Sequence, residues 1–203
     1  MAFAMIDELG YSKFSIRALA ERLGIGTMSV YTYVPSKKQL LFLVMAKMRE
    51  GIDNAPVPGE YWEDSLHRIC GSIRDNSLAH PHIRFMQMQT QIAWPAQHNR
   101  NTYLLHTDQG MTKESYDALW TVLRAFLAGY IDREVMLACT EENQADDPYG
   151  KGRWVDLREQ AIGEQRFHEG LDIIIRGAKS TFGAQCETWR TPENPETWRW
   201  GKE

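Results

Sequence analysis

The chain reads as an all-α protein, and three observations carry that reading. Apolar residues recur at intervals of three and four through most segments. No alternating strand pattern bounded by hairpin dipeptides stands out. Capping and helix-ending residues fall where the periodic segments begin and stop.

Taken in order, Phe3, Ile6 and Leu9 predict a short first helix that Gly10 closes. Ser15 caps a second helix carrying Ile16, Leu19, Ala20 and Leu23, and Gly24 ends it. Thr27 is placed as the cap of a very short third helix. Pro35 and Ser36 mark a stop before a fourth, which turns Leu40, Leu41, Val44 and Met48 inward. The stretch GIDNAPVPGE, with two prolines and two glycines, is the joint between a head of residues 1–50 and a body of residues 51–186.

In the body, helices are predicted over Tyr61–Ala79 and Ile83–Trp94, with a shorter one around Tyr103–Thr107. Tyr116, Leu119, Trp120, Leu123, Phe126, Leu127 and Tyr130 define a long helix with one broad buried face, and Phe167, Leu171, Ile174, Ile175, Ala178 and Phe182 define another. Between them EENQADDPYGKGRW reads as a mobile acidic loop. Residues 187–203 lack helical spacing and form an irregular tail, whose Trp189, Trp198 and Trp200 are costly to leave in water.

Charge divides along the same line. The first 50 residues hold seven Lys and Arg against four Asp and Glu, a net +3, so the remainder carries −7 of the total −4. A basic head suits contact with phosphate, and an acidic body repels nucleic acid. Three cysteines, an odd number with no close pair, imply neither a disulfide framework nor a zinc site and point to a reducing cytoplasm. Neither a basic leader with a long apolar stretch nor a run of 18 apolar residues is found, so no secretion and no membrane partner are expected.

SIRALAERLGIGTMSVYTYV has the layout of a helix-turn-helix. In such a pair the second helix lies in a major groove about 12 Å wide while the first crosses the backbone. Val30 and Val34 anchor the second helix, which leaves Thr27, Met28, Ser29, Thr32 and Tyr33 facing outward toward base edges and phosphates.

Position by position, FSIRALAERLGIGTMSVYTYVPSKKQLLFLV is similar to the DNA-binding region of the TetR family of bacterial regulators. The resemblance implies that Tyr31 and Lys37 grip phosphates, that Thr27, Met28, Ser29 and Thr32 read base edges, and that Arg17 reaches DNA from the second helix. More loosely, GEYWEDSLHRI, SLAHPHIRFM and FLAGYIDREVM resemble the linker, pocket and dimer helices of the tetracycline-repressor branch. The body then binds an effector and dimerises through helices 116–139 and 162–183, a two-fold assembly that calls for a palindromic double-stranded operator. Two departures matter. Histidines that hold magnesium-bound tetracycline in that branch have no counterparts, one position lying in MREGIDN and the other near Met86, so a different effector is expected. Family members also usually begin with a longer basic helix than MAFAMIDELG, so either the true start lies upstream of Met1 or fewer phosphate contacts and weaker binding are expected.

Phe85, Met86, Gln89, Ile92, Trp94, Tyr103, Trp120, Leu123 and Phe126 form an aromatic and methionine-rich set of the kind that lines apolar pockets, which predicts a small, largely apolar effector. Single members of such stripes more often simply fill a core. His80 and His82 flank Pro81 without a third ligand, so no metal is expected. No nucleophile elbow, phosphate loop or HExxH is present, and neither enzyme activity nor a cofactor is expected. The competing reading is a helical protein-interaction module that keeps the fold without binding an operator.

Overall fold

The computed structural model describes residues 1–55, 57, 59–92, 100–141 and 162–182. Nine α-helices and one 3-10 turn, with no strand, are present among them: α1 (Ala2–Leu9), the turn Tyr11–Lys13, α2 (Ile16–Leu23), α3 (Thr27–Tyr33), α4 (Lys37–Arg49), α5 (Trp62–Ala79), α6 (Pro81–Thr90), α7 (Arg100–Asp108), α8 (Lys113–Glu141) and α9 (Glu164–Phe182). Trp94, the acidic loop beyond Glu141 and the tail 187–203 lie outside the described residues.

Local chemistry accounts for several helix ends. Ser15 Oγ accepts from the Ala18 amide at 3.0 Å, and Ser36 Oγ accepts from the Gln39 amide at 3.1 Å, satisfying first-turn donors that have no intrahelical partner. Gly24 ends α2 in the left-handed region (φ 69°), where its amide and that of Ile25 reach back to the Glu21 and Ala20 carbonyls. The third helix is capped differently from expectation. Gly26 occupies the cap with extended backbone and Thr27 is already helical, so no side chain serves that end. Helix α6 stops at Thr90 rather than running to Trp94, because Gln91 adopts a left-handed φ of 50° that terminates the turn. Leu9 and Leu23 are each 42% exposed. Both end short helices, where the last turn rises off the core.

The chain divides into two compact units. One comprises Met1–Ile52 with the described parts of Asp75–Ala96 and Ile131–Asp146. Its core joins Met5, Ile6, Phe14, Leu19, Val44, Met45 and Met48 of the head to Ile83, Met86 and Ile92 of the α6 region. Polar bonds fix the same contact: His80 Nδ1 pairs with the Asp7 carboxylate at 2.8 Å, and His82 Nδ1 donates to the Asp7 carbonyl at 2.7 Å. These two histidines therefore dock α6 onto α1. Arg84, 5% exposed, donates to Asp132 Oδ1 at 2.6 Å and to Gln87 Oε1 at 2.7 Å, which compensates a charge otherwise expensive to bury. Asn76 Nδ2 donates to the Met48 carbonyl at the end of α4, and a Cβ on Gly51 would meet Asn76 Oδ1 at 2.3 Å, so any larger residue there must displace the Asn76 side chain.

The other unit comprises Asp53–Arg74, the described part of Gln97–Tyr130 and the described residues of α9. Trp62, Leu66, Leu123, Phe167 and Leu171 fill its interior. Residues leading into α5 are held by Arg68, whose guanidinium donates to both Glu60 carboxylate oxygens at 2.7 Å and to the Asp53 and Ala55 carbonyls at 3.0 Å each. The Glu60 hydrogen bonds, with help from Asp53, raise the Arg68 pKa above its already high value. Gln109, 1% exposed, completes the fastening: its Oε1 accepts from the Trp62 amide and its Nε2 donates to the Glu60 carbonyl. The proline-bearing joint is thus tied down on its α5 side.

Candidate nucleic-acid interface and ligand site

Helices α2 and α3 pack as a pair with the sharp turn at Gly24 between them. Of the seven residues of α3, Val30 alone is buried, at 5% exposure, while Val34 just beyond is partly buried against the same core. Thr27, Ser29 and Thr32 are exposed, and Met28, Tyr31 and Tyr33 are 79%, 40% and 81% exposed. Leaving large apolar side chains in water forgoes roughly 1.5–3 kcal/mol each relative to burial, so a short helix that presents three of them is shaped for a partner. The outward face carries no charge of its own.

Cations flank that face. Arg17 on α2 is exposed and pairs with Glu21 at 3.0 Å, a surface contact worth less than about 1 kcal/mol that a phosphate can replace. Lys37 at the start of α4 is half-buried, its Nζ 4.6 Å from the Tyr11 ring centroid and 5.7 Å from that of Phe14. The two rings steer an otherwise flexible ammonium. Lys38 is exposed beside it.

The candidate ligand residues fall into two groups. Phe85, Met86, Gln89 and Ile92 belong to the first unit. Met86 and Ile92 are buried in the core shared with the head, Phe85 is half-buried and Gln89 is exposed. Tyr103, Trp120, Leu123 and Phe126 belong to the second unit, with Leu123 fully buried and the aromatics half-buried. Phe126 stacks on Phe167, and Tyr130 meets Phe167 edge-on. Tyr103 and Trp120 belong to a different cluster, gathered with Trp62 and Tyr116 around His106.

His106 is the residue that pattern reasoning missed. It is fully buried, and desolvation lowers its pKa to about 3, so the ring is neutral. Its Nε2 lies 3.3 Å from Ser65 Oγ, and its Nδ1 has no partner among the described residues. The same is true of the buried Trp120 Nε1. Unpaired buried polar atoms cost about 1–3 kcal/mol each, and two in one cluster are unusual. The one available hint was the spacing of Tyr103 and His106, which puts them on one face of α7. A second pair, His67 and His168, share a 3.1 Å Nδ1–Nδ1 contact, with His67 Nε2 bonded to Asp172 at 3.1 Å, and so tie α5 to α9. Among the described residues no cluster suited to a metal ion is present.

Comparison with known proteins bears directly on this arrangement. Residues 1–44 match the family of bacterial regulatory proteins, tetR family. The tetracycline repressor protein class D of Escherichia coli is 25% identical over 184 residues, covering 87% of this chain and 84% of that protein. The HTH-type transcriptional repressor DrrR1 of Streptomyces coeruleorubidus is 29% identical over 96 residues, which are 47% of this chain and 36% of that repressor. The Streptomyces coelicolor TetR family protein ActR, in complex with actinorhodin, shares the fold with a TM-score of 0.66 at 22% identity, over 90% of this chain and 94% of that one.

An exposed short helix behind a sharp turn, in a chain whose described residues are otherwise helical, is the architecture of a helix-turn-helix DNA-binding regulator of transcription. The match to the tetR family covers residues 1–44, and similarity to a tetracycline repressor extends over 87% of the chain.

Proposed function

We propose that the protein is a repressor that holds a palindromic operator as a homodimer and releases it when a small, largely apolar effector binds the body. The observation that carries this reading is the exposure of α3, whose face of Thr27, Met28, Ser29, Thr32 and Tyr33 stands clear of the core. In this reading that face meets base edges, while Arg17, Tyr31 and Lys37 hold phosphates. Kinship with a tetracycline repressor supports repression, and the actinorhodin complex of ActR supports a body that accepts a small molecule.

Dimerisation is assigned to α8 and α9. Val122 and Ile173 are 53% and 65% exposed, and among the described residues neither Gly129 nor Gly177 has a neighbour within 4 Å of where a Cβ would stand. Glycines with open space beside them, next to exposed aliphatic side chains, suit close approach by a second copy. Effector binding is relayed to the head through the joint 51–59 and through α6, which is bonded to α1 by way of Asp7. The two recognition helices then leave the spacing of about 34–36 Å that successive major grooves demand.

A gel shift on the DNA upstream of the gene tests the reading. Binding that falls about a thousandfold between 50 and 200 mM salt is expected for a set of phosphate contacts, whereas salt-indifferent binding to a protein partner marks an interaction module instead. Loss of the shifted band on adding effector is the second expected result.

A further inference from the structure

We propose that the aromatic cluster around His106 seats a flat, apolar aromatic molecule bearing a hydroxyl group, with that hydroxyl bridging His106 Nδ1 and Trp120 Nε1. The inference rests on the effector reading above and specifies the chemistry of its ligand.

Proton accounting leads to the hydroxyl. Ser65 has one O–H, and it donates to the Trp62 carbonyl at 2.7 Å. Only lone pairs then remain on Ser65 Oγ to face His106 Nε2, so the proton in that 3.3 Å contact sits on the nitrogen. The neutral ring carries no second proton, which leaves Nδ1 a bare acceptor in a fully buried position. Trp120 Nε1 can only donate, and it too is buried without a partner among the described residues.

One hydroxyl donates once and accepts at its lone pairs, so it answers both atoms together. An ether or ketone supplies only the acceptor and leaves Nδ1 unpaired, while a carboxylate sets its charge against the Nδ1 lone pair and must be desolvated. The His106 and Trp120 rings lie 24° from parallel with centroids 6.4 Å apart, so the two unpartnered nitrogens belong to neighbouring rings of one cluster. Trp62 and Tyr116 meet His106 edge-on at 5.9 and 5.4 Å, and Tyr103 meets Tyr116 edge-on at 5.0 Å, so the surroundings of the polar pair are aromatic.

Isothermal titration of 2-naphthol, 2-methoxynaphthalene and naphthalene-2-carboxylate into the DNA-free full chain tests this directly. In the unaltered protein 2-naphthol is expected to bind at least about tenfold more tightly than its methyl ether, and the carboxylate most weakly. In His106→Phe, which keeps the ring volume, naphthol and its ether are expected to bind alike. Equal affinities in the unaltered protein, no binding of either compound, or an undiminished preference in His106→Phe overturns the proposal, and the first two outcomes need no variant to fold. Operator binding is measured separately. Salt-sensitive DNA binding without naphthol selectivity sinks this proposal alone, whereas selective naphthol binding that leaves the operator complex intact upholds it and sinks the release mechanism.

Discussion

His106 shows how one side chain sets a pH response. Buried imidazole resists protonation, so its folded pKa of about 3 lies below the ordinary value of 6.5. Between those values the unfolded chain binds the extra proton, and stability contributed by the neutral ring is present above pH 6.5 and lost as pH falls toward 3. From pH 7 to pH 5 this group should remove about 2 kcal/mol, read as the difference in urea stability between the unaltered protein and His106→Phe. Parallel pH curves for the two proteins would mean that the imidazole is solvated. On the DNA side, Tyr31→Ala is expected to weaken binding to all sequences alike, as is Lys37→Ala, which should also lower the salt slope by about one. Normal operator affinity in both variants would contradict the phosphate roles.

At the scale of elements, caps and turns were legible because their chemistry is local. Ser15, Gly24 and Ser36 act within three or four residues of their positions, so sequence order alone places them. Gly26 was less visible, since which of two adjacent residues leaves helical geometry depends on how the chain emerges from the left-handed turn. Arg68 was invisible. It sits on α5 as one more basic residue, yet it binds Asp53, Ala55 and Glu60, contacts 8 to 15 positions away that only the folded joint brings round it. Arg68→Ala leaves the largely buried Glu60 carboxylate unpaired and is expected to cost about 2–3 kcal/mol by urea denaturation, below the range for fully buried pairs because the guanidinium is partly exposed. Lysine at the same position should recover less than half, lacking the planar fork.

For the whole molecule, the proposed two-fold assembly and the charge distribution each make a prediction. Ile173→Asp changes a side chain that is 65% exposed, so helical content should persist while the dimer dissociation constant rises at least about a hundredfold, measured by analytical ultracentrifugation alongside circular dichroism. A dimer of unaltered strength would move the interface off this face of α9. The net +3 of residues 1–50 beside the −7 of the remainder predicts that nonspecific DNA adheres through the head alone and is shed by moderate salt.

By itself the sequence determined the all-helical class, the helix-turn-helix with its outward α3, and the resemblance to the TetR family, because periodicity, caps and a contiguous motif are properties of neighbouring residues. Tertiary structure decided the rest. It drew Met86 and Ile92 into the core of the head, bonded His80 and His82 to Asp7, and left two buried nitrogens of His106 and Trp120 facing no partner among the described residues. Each of these depends on residues far apart in the chain, and burial and hydrogen-bond satisfaction exist only once packing has brought them together.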